Sequence, residues 1–171
     1  KVRSNGNNDE FAGLFGIRNY PLDDGIWAGM NWGGPNAPEI ECYFGNAEAS
    51  FPMTPIDSVW YHVALVYGDG VFSSYLNGVL KTSSGASDLS TGGIDLLIGK
   101  TELGNPLFFD GNISDVSLWS TDLSESQIQY YMSVKPSGNE PDLIGHWAMD
   151  EGSGSTLTDL GENGNNGTIV G

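Results

Sequence analysis

Glu39 and Glu41 are the residues of this chain whose type and spacing best suit joint chemistry. They stand two apart in EIECYF (39–44), where Ile40, Cys42 and Phe44 alternate with Glu39, Glu41 and Tyr43. Alternation of period two marks a half-buried β-strand. Both carboxylates therefore share one face, about 7 Å apart along the strand. A pair at that separation suits glycosidic bond cleavage, which needs one carboxyl as acid and another as base or nucleophile. Other catalytic signatures are absent. His62 and His146, the two histidines, have no Cys, His or Asp neighbour at metal-ligand spacing. No Gly-x-Ser-x-Gly and no phosphate loop occurs, and the glycine-rich DEGSGS (150–155) precedes no helical pattern.

Aromatic residues offer a second kind of chemistry. Trp27, Trp32, Tyr20 and Tyr43 crowd the 20–44 region, with Asn31, Asn36 and Glu41 beside them to supply hydrogen bonds. Flat aromatic faces flanked by polar groups suit sugar rings or a protein partner. GIWAGMNWGG (25–34) alternates, with Ile26, Ala28, Met30 and Trp32 on one face and Trp27, Gly29 and Asn31 on the other. Trp27 and Tyr43 thus oppose the apolar faces of their strands and are the better candidates for exposure. The candidate ligand-binding residues are Trp27, Tyr43, Asn31, Glu41 and Trp32. Trp60, Trp119 and Trp147 are expected in the core.

These residues need strands to position them. WYHVALVYGDG (60–70) alternates, with Val63 and Leu65 on one face and His62, Ala64 and Val66 on the other. VFSSYLNGVLK (71–81) contains Asn77-Gly78, a strong hairpin signal. DLLIGK (95–100) reads as a short strand, FFDGNISDVSLWS (108–120) as a turn and a strand, and PLDDG (21–25) as a reversal. FPMTPIDS (51–58), with two prolines, cannot be a central strand. A short helix follows near 123–132, with Ser124 as N-cap, Gln127 three residues on, and Leu123 placed to pack on Ile128. The sum is an all-β, antiparallel sandwich with one helix.

Composition narrows the partners. The 171 residues carry 6 Lys+Arg against 22 Asp+Glu, a formal net charge of −16. That surface repels nucleic acid and anionic lipid, and it suits a salty medium that screens self-repulsion. Charged residues make up 16% of the chain and glycines number 25, which describes turn-rich β structure rather than a disordered acidic tail. The single cysteine, Cys42, excludes an intrachain disulfide and reads as a small buried hydrophobe. No apolar run approaches a membrane span, so no membrane insertion is expected. A start at Lys1 reads as a piece of something longer.

The order of segments from Trp60 to Tyr131 resembles the laminin-G-like (concanavalin A-like, pentraxin-like) jelly roll of two antiparallel sheets. Residues 1–133 resemble its later strands and 134–142 a linker. Residues 143–171, LIGHWAMDEGSGSTLTDLGENGNNGTIVG, resemble the opening strands of the same or the next module. The resemblance implies an extracellular or cell-surface binding module for a glycan or protein, stabilised by Ca²⁺. Asp110 in FFDGN, Asp150 in AMDEG and Asp159 in the following loop match its calcium ligands. Two alternatives follow from the same resemblance. One is a structural repeat of an adhesin or filament, in contact with neighbouring copies. The other is a glycoside hydrolase using Glu39 and Glu41, whose motif runs Glu-x-Asp-x-x-Glu. Here Glu41 replaces the Asp and Phe44 occupies the acid position, and a phenyl ring cannot protonate a leaving group.

Overall fold

The computed structural model describes residues 2–4, 11–18, 25–33, 35–89, 93–101 and 108–170 of the chain. Tyr20 and most of the expected PLDDG turn lie outside them. Strands follow in the order β1 (Val2–Ser4), β2 (Phe11–Arg18), β3 (Gly25–Asn31), β4 (Glu39–Phe44), β5 (Ala47–Glu48) and β6 (Phe51–Pro52). Next come β7 (Val63–Gly68), β8 (Val71–Leu76), β9 (Val79–Gly85), β10 (Leu97–Ile98), β11 (Gly111–Ile113) and β12 (Val116–Trp119). Helix α1 (Glu125–Ser133) precedes β13 (Leu143–Trp147), β14 (Thr156–Leu157) and β15 (Gly167–Thr168).

A six-stranded sheet runs β10-β2-β3-β4-β5, with β6 also paired to β4. Its inner face packs on the three-stranded sheet β7-β8-β9. The core between them holds Ala28, Met30, Ile40, Cys42, Phe44 and Phe51 from the larger sheet and Phe72 from the smaller. Val63, Leu65 and Tyr67 of β7 lean against it, as the alternation of that strand requires. Trp32 also packs here, which follows from its sharing a strand face with Ala28 and Met30. Burial pushes the Cys42 thiol well above its ordinary range, so it packs as a hydrophobe.

Both hairpins of the smaller sheet turn on two residues with positive φ. Asn77 and Gly78 have φ of 51° and 74°, and Asp69 and Gly70 have 50° and 73°. Such turns match the right-handed twist of the flanking strands, which is why Asn-Gly and Asp-Gly make them. Helix α1 begins on the expected reciprocal cap: Ser124 accepts from the Gln127 N–H, and Gln127 accepts from the Ser124 N–H. Ile128 is its buried residue, and Gln129 Nε2 donates to the Gly78 carbonyl at 3.0 Å, tying the helix to the β8–β9 turn.

Beyond the helix the chain returns to the body. β13 pairs antiparallel with β12, with Val116 opposite Trp147 and Ser117 opposite His146. Leu143, His146 and Trp147 are buried there, and the Trp147 indole donates to the Asn165 carbonyl at 2.9 Å. Trp60, expected in the core, is 41% exposed. It lies between β6 and β7, outside any strand, so no sheet places its ring in the core.

One irregularity in β2 shapes the outer face of the large sheet. Gly13 pairs with Gly29 but Phe15 with Ala28, so Leu14 is an extra residue in a β-bulge. Side-chain phase changes across it. Phe11 and Gly13 point outward before the bulge, and Gly16 and Arg18 do so after it. Gly13 and Gly16 also let residues 100–101 cross this face. A Cβ would stand 2.6 Å from the Thr101 nitrogen at Gly13 and 2.3 Å from its carbonyl oxygen at Gly16.

Candidate functional site

The outer face gathers most of the residues singled out from sequence. Strand register sets Trp27 opposite Tyr43, Gly29 opposite Glu41 and Asn31 opposite Glu39. Trp27 and Tyr43 stack with centroids 4.6 Å apart and planes 14° apart. The Arg18 guanidinium lies 5.1 Å from the Trp27 ring centre, within cation–π range, and Phe11 meets that ring edge-on at 5.5 Å. The result is a stack in the order Arg18, Trp27, Tyr43. A cavity of about 340 Å³ opens beside it, lined by Arg18, Gly25, Trp27, Tyr43, Gly45 and Asn46.

Farther along β4, Asn31 donates from Nδ2 to Glu41 Oε1 at 2.5 Å. Burial holds the Glu41 carboxyl above the usual carboxylate range, against the Asn31 hydrogen bond, and the charges of Glu39 and Glu48 add to the rise. Tyr43 is pushed up to about 12 by burial and by the carboxylates of Glu48, Glu41 and Glu39. Trp27, Asn31, Glu41 and Tyr43 therefore form one surface. Trp32 is on the other side of the sheet. Arg18 and Asn46 complete the cavity and were missed: the bulge that turns Arg18 outward leaves no mark in the residue types around Leu14.

The carboxylate pair lacks a partner acid. Phe44, at the position where a hydrolase of this motif carries its proton donor, is 6% exposed and stacks on Tyr67 at 4.2 Å inside the core.

The three aspartates matched to calcium stand in different situations. Asp159 is buried, and its carboxylate accepts from the backbone N–H groups of His146 (2.9 Å), Gly161 (2.8 Å) and Asn165 (2.8 Å). Burial alone would raise its pKa, but these amides together hold it below the usual value. The three N–H dipoles stabilise the charge of the carboxylate where it is buried. Asp110 and Asp150 are exposed. Among the described residues no group of three or more His, Cys, Asp or Glu side chains is arranged to hold a metal ion. Asp110, Asp150 and Asp159 are thus not brought together in one such group.

A larger cavity of about 620 Å³ lies between β7, β12 and α1, lined among others by Val63, Leu65, Leu118, Ile128 and Tyr131. Its walls are mainly aliphatic and aromatic, with His62, Asp115, Ser117, Asp122 and Lys135 among the polar groups. On β13 the His146 ring is 1% exposed, 4.0 Å from the Asp115 carboxylate that Lys135 holds at 2.7 Å.

Residues 2–129 match the family described as the concanavalin A-like lectin/glucanases superfamily (laminin G type). The chain belongs to that superfamily. Its fold is accordingly the concanavalin A-like β sandwich. Among solved structures, this member is similar to a proposed carbohydrate binding protein from Bacteroides ovatus ATCC 8483. The TM-score is 0.76 and the identity 20%, over 98% of this chain and 49% of that one. The fold of that neighbour is thus shared over nearly the whole chain, and the chain spans about half the length of that neighbour. A second similar structure is an S-layer domain-containing protein from Clostridium thermocellum ATCC 27405, at TM-score 0.40 and 17% identity, over 75% of this chain and 65% of that one. No curated protein matches this member of the superfamily in sequence.

Proposed function

We propose that the chain is a non-catalytic glycan-binding module of a secreted or surface protein, with its ligand on the outer face of the β2–β6 sheet. The observation that carries this reading is the Arg18–Trp27–Tyr43 stack beside a cavity edged by Asn46. A sugar offers apolar C–H faces to aromatic rings and hydroxyls to planar donors such as guanidinium and carboxamide groups. The lectin and glucanase superfamily and the name of the Bacteroides neighbour support the same class of ligand. Phe44, locked in the core, supports binding without turnover. An acidic, sparsely charged surface supports a place outside the cell, where salt screens its self-repulsion.

The test is a glycan array followed by calorimetry on the hits and an assay for new reducing ends. Binding without hydrolysis, lost in Trp27→Ala, is the expected result. Hydrolysis abolished by Glu39→Gln would replace the reading with a glycosidase. An array without a hit would retire it.

A further inference from the structure

Strand β7 has β8 on one edge and, among the described residues, no strand on the other. His62 bonds toward β8, its carbonyl accepting from the Asn77 N–H at 2.8 Å. Bonding direction alternates along an antiparallel strand, so Ala64, Val66 and Gly68 also bond to β8. Val63, Leu65 and Tyr67 direct their N–H and C=O groups to the empty side. Strand β12 is in the same position: β13 takes one edge, and no described strand takes the other. Free edges of this kind are templates for a further strand.

The two edges line one space. The cavity of about 620 Å³ has Val63, Leu65 and Tyr67 of β7 and Val116 and Leu118 of β12 in its walls. A Cβ at Gly68, the last residue of β7, would meet the Asp122 carboxylate just beyond β12. Both strands therefore leave the cavity at the same end. One strand antiparallel to both would join them into a sheet running from β9 to β13. Phe15 and Ile26 of the large sheet and Ile128 and Met132 of α1 also line the space. A strand enclosed by such groups is a short continuous apolar run.

One line in the fold already leads there. β1 pairs antiparallel with β11, Val2 opposite Ile113 and Ser4 opposite Gly111, and β11 passes into β12 through Ser114 and Asp115. Prolonged backwards beyond Val2, β1 would run antiparallel along β12. β13 holds the other edge, so that path is the empty one. We infer that the space between β7 and β12 is a strand-receiving slot, filled by an extended apolar segment of polypeptide that runs into β1. Its backbone pairs with Val63, Leu65 and Tyr67 on one side and with β12 on the other, and its side chains fill the cavity.

The test joins about six valine- and isoleucine-rich residues, a typical strand length, directly ahead of Lys1. Hydrogen exchange and thermal melting compare this chain with the parent and with a Gly/Ser extension of equal length. The apolar extension should slow exchange at Val63, Leu65 and Tyr67 at least about tenfold, toward the rates of Ala64 and Val66. It should also raise the melting temperature by several degrees, and the Gly/Ser extension should do neither. If the apolar extension prevents folding, the same sequence added to the parent chain as a free peptide gives the same readout. Unchanged exchange at the three residues in the folded extension or with the peptide would overturn the inference. Equal slowing at all five positions would too, since it reports general stabilisation. Protection in the parent chain that grows with its concentration would put a second copy in the slot and overturn the assignment to β1.

Discussion

Tyr43 lies directly across the β3–β4 ladder from Trp27, and the two rings stack 4.6 Å apart. Cross-strand aromatic pairs hold each other in place, so neither ring must be ordered afresh when a ligand arrives. Each ring is half-buried rather than exposed, and Trp27 carries a guanidinium on the stack as well.

From that stack comes a separation between ring and hydroxyl. Tyr43→Phe keeps the aromatic surface and should retain glycan affinity within about threefold, while Tyr43→Ala should lose about tenfold or more. Both variants should melt within a few degrees of the parent, because the site is on the outer face and not in the core. Calorimetry with an array-selected glycan, alongside thermal melting, checks both expectations.

Asp159 gives a prediction about stability. Its three charge-assisted hydrogen bonds join the β13 backbone to the loop at 161–165, and each such bond contributes about 1.5–3 kcal/mol. Asp159→Asn replaces one acceptor oxygen by a donor facing N–H groups and should lower stability by about 3 kcal/mol. The loss in melting temperature should be the same with added calcium or with EDTA, since the carboxylate is committed to amides. A depressed folded pKa means that this contribution is full above the ordinary aspartate value and fades as pH falls through the folded one.

His146 predicts a second, higher pH window. Burial depresses its pKa and Lys135 works the same way, against the carboxylates of Asp115, Glu140 and Asp159. The unfolded chain thus takes up the proton more readily than the folded one. Stability should be level above the ordinary histidine value of about 6.5 and decline below it until the folded form is itself protonated. His146→Gln should remove that part of the decline, and melting temperatures from pH 8 to pH 5 would show it. Hydrogen exchange should place the first opening in β12 and β13.

Gly16→Ala is the sharpest test of the outer-face architecture. A methyl group there would meet the Thr101 carbonyl, a backbone atom that cannot turn aside. The crossing segment must lift, so a loss of about 2 kcal/mol is expected, with increased exchange at 99–101. Unchanged melting would mean that this segment does not bear on the sheet.

Much of this was legible along the chain wherever the controlling interaction is local. Ile40, Cys42 and Phe44 announce the inner face of β4 by alternation, Asn77-Gly78 announces its turn, and Ser124 with Gln127 announces the start of α1. The shared face of Trp27, Asn31, Glu41 and Tyr43 follows from the same period of two. What was not legible depends on distant partners. Asp159 has the sequence surroundings of a calcium loop, but its donors include His146, thirteen residues away on another strand. Trp60 adjoins a strong strand pattern yet stands outside it. Arg18 occupies a position that strict alternation from Ala12 would place inside.

That last discrepancy has a wider meaning. Because of Leu14, β2 is read in two phases: one frame of inward and outward positions applies before it and the opposite frame after it. Flattening the bulge with Leu14 kept in the ladder would carry the first frame through the strand. Arg18 would then rotate toward the apolar interior, leaving the Trp27 ring without its cation, whereas deleting Leu14 would leave Arg18 outward opposite Gly25. At this point in the strand the pairing register carries more information than residue identity. Two chains matching at every aromatic position but differing in whether this bulge forms would present different binding surfaces, and a comparison scored by residue type would rate them alike.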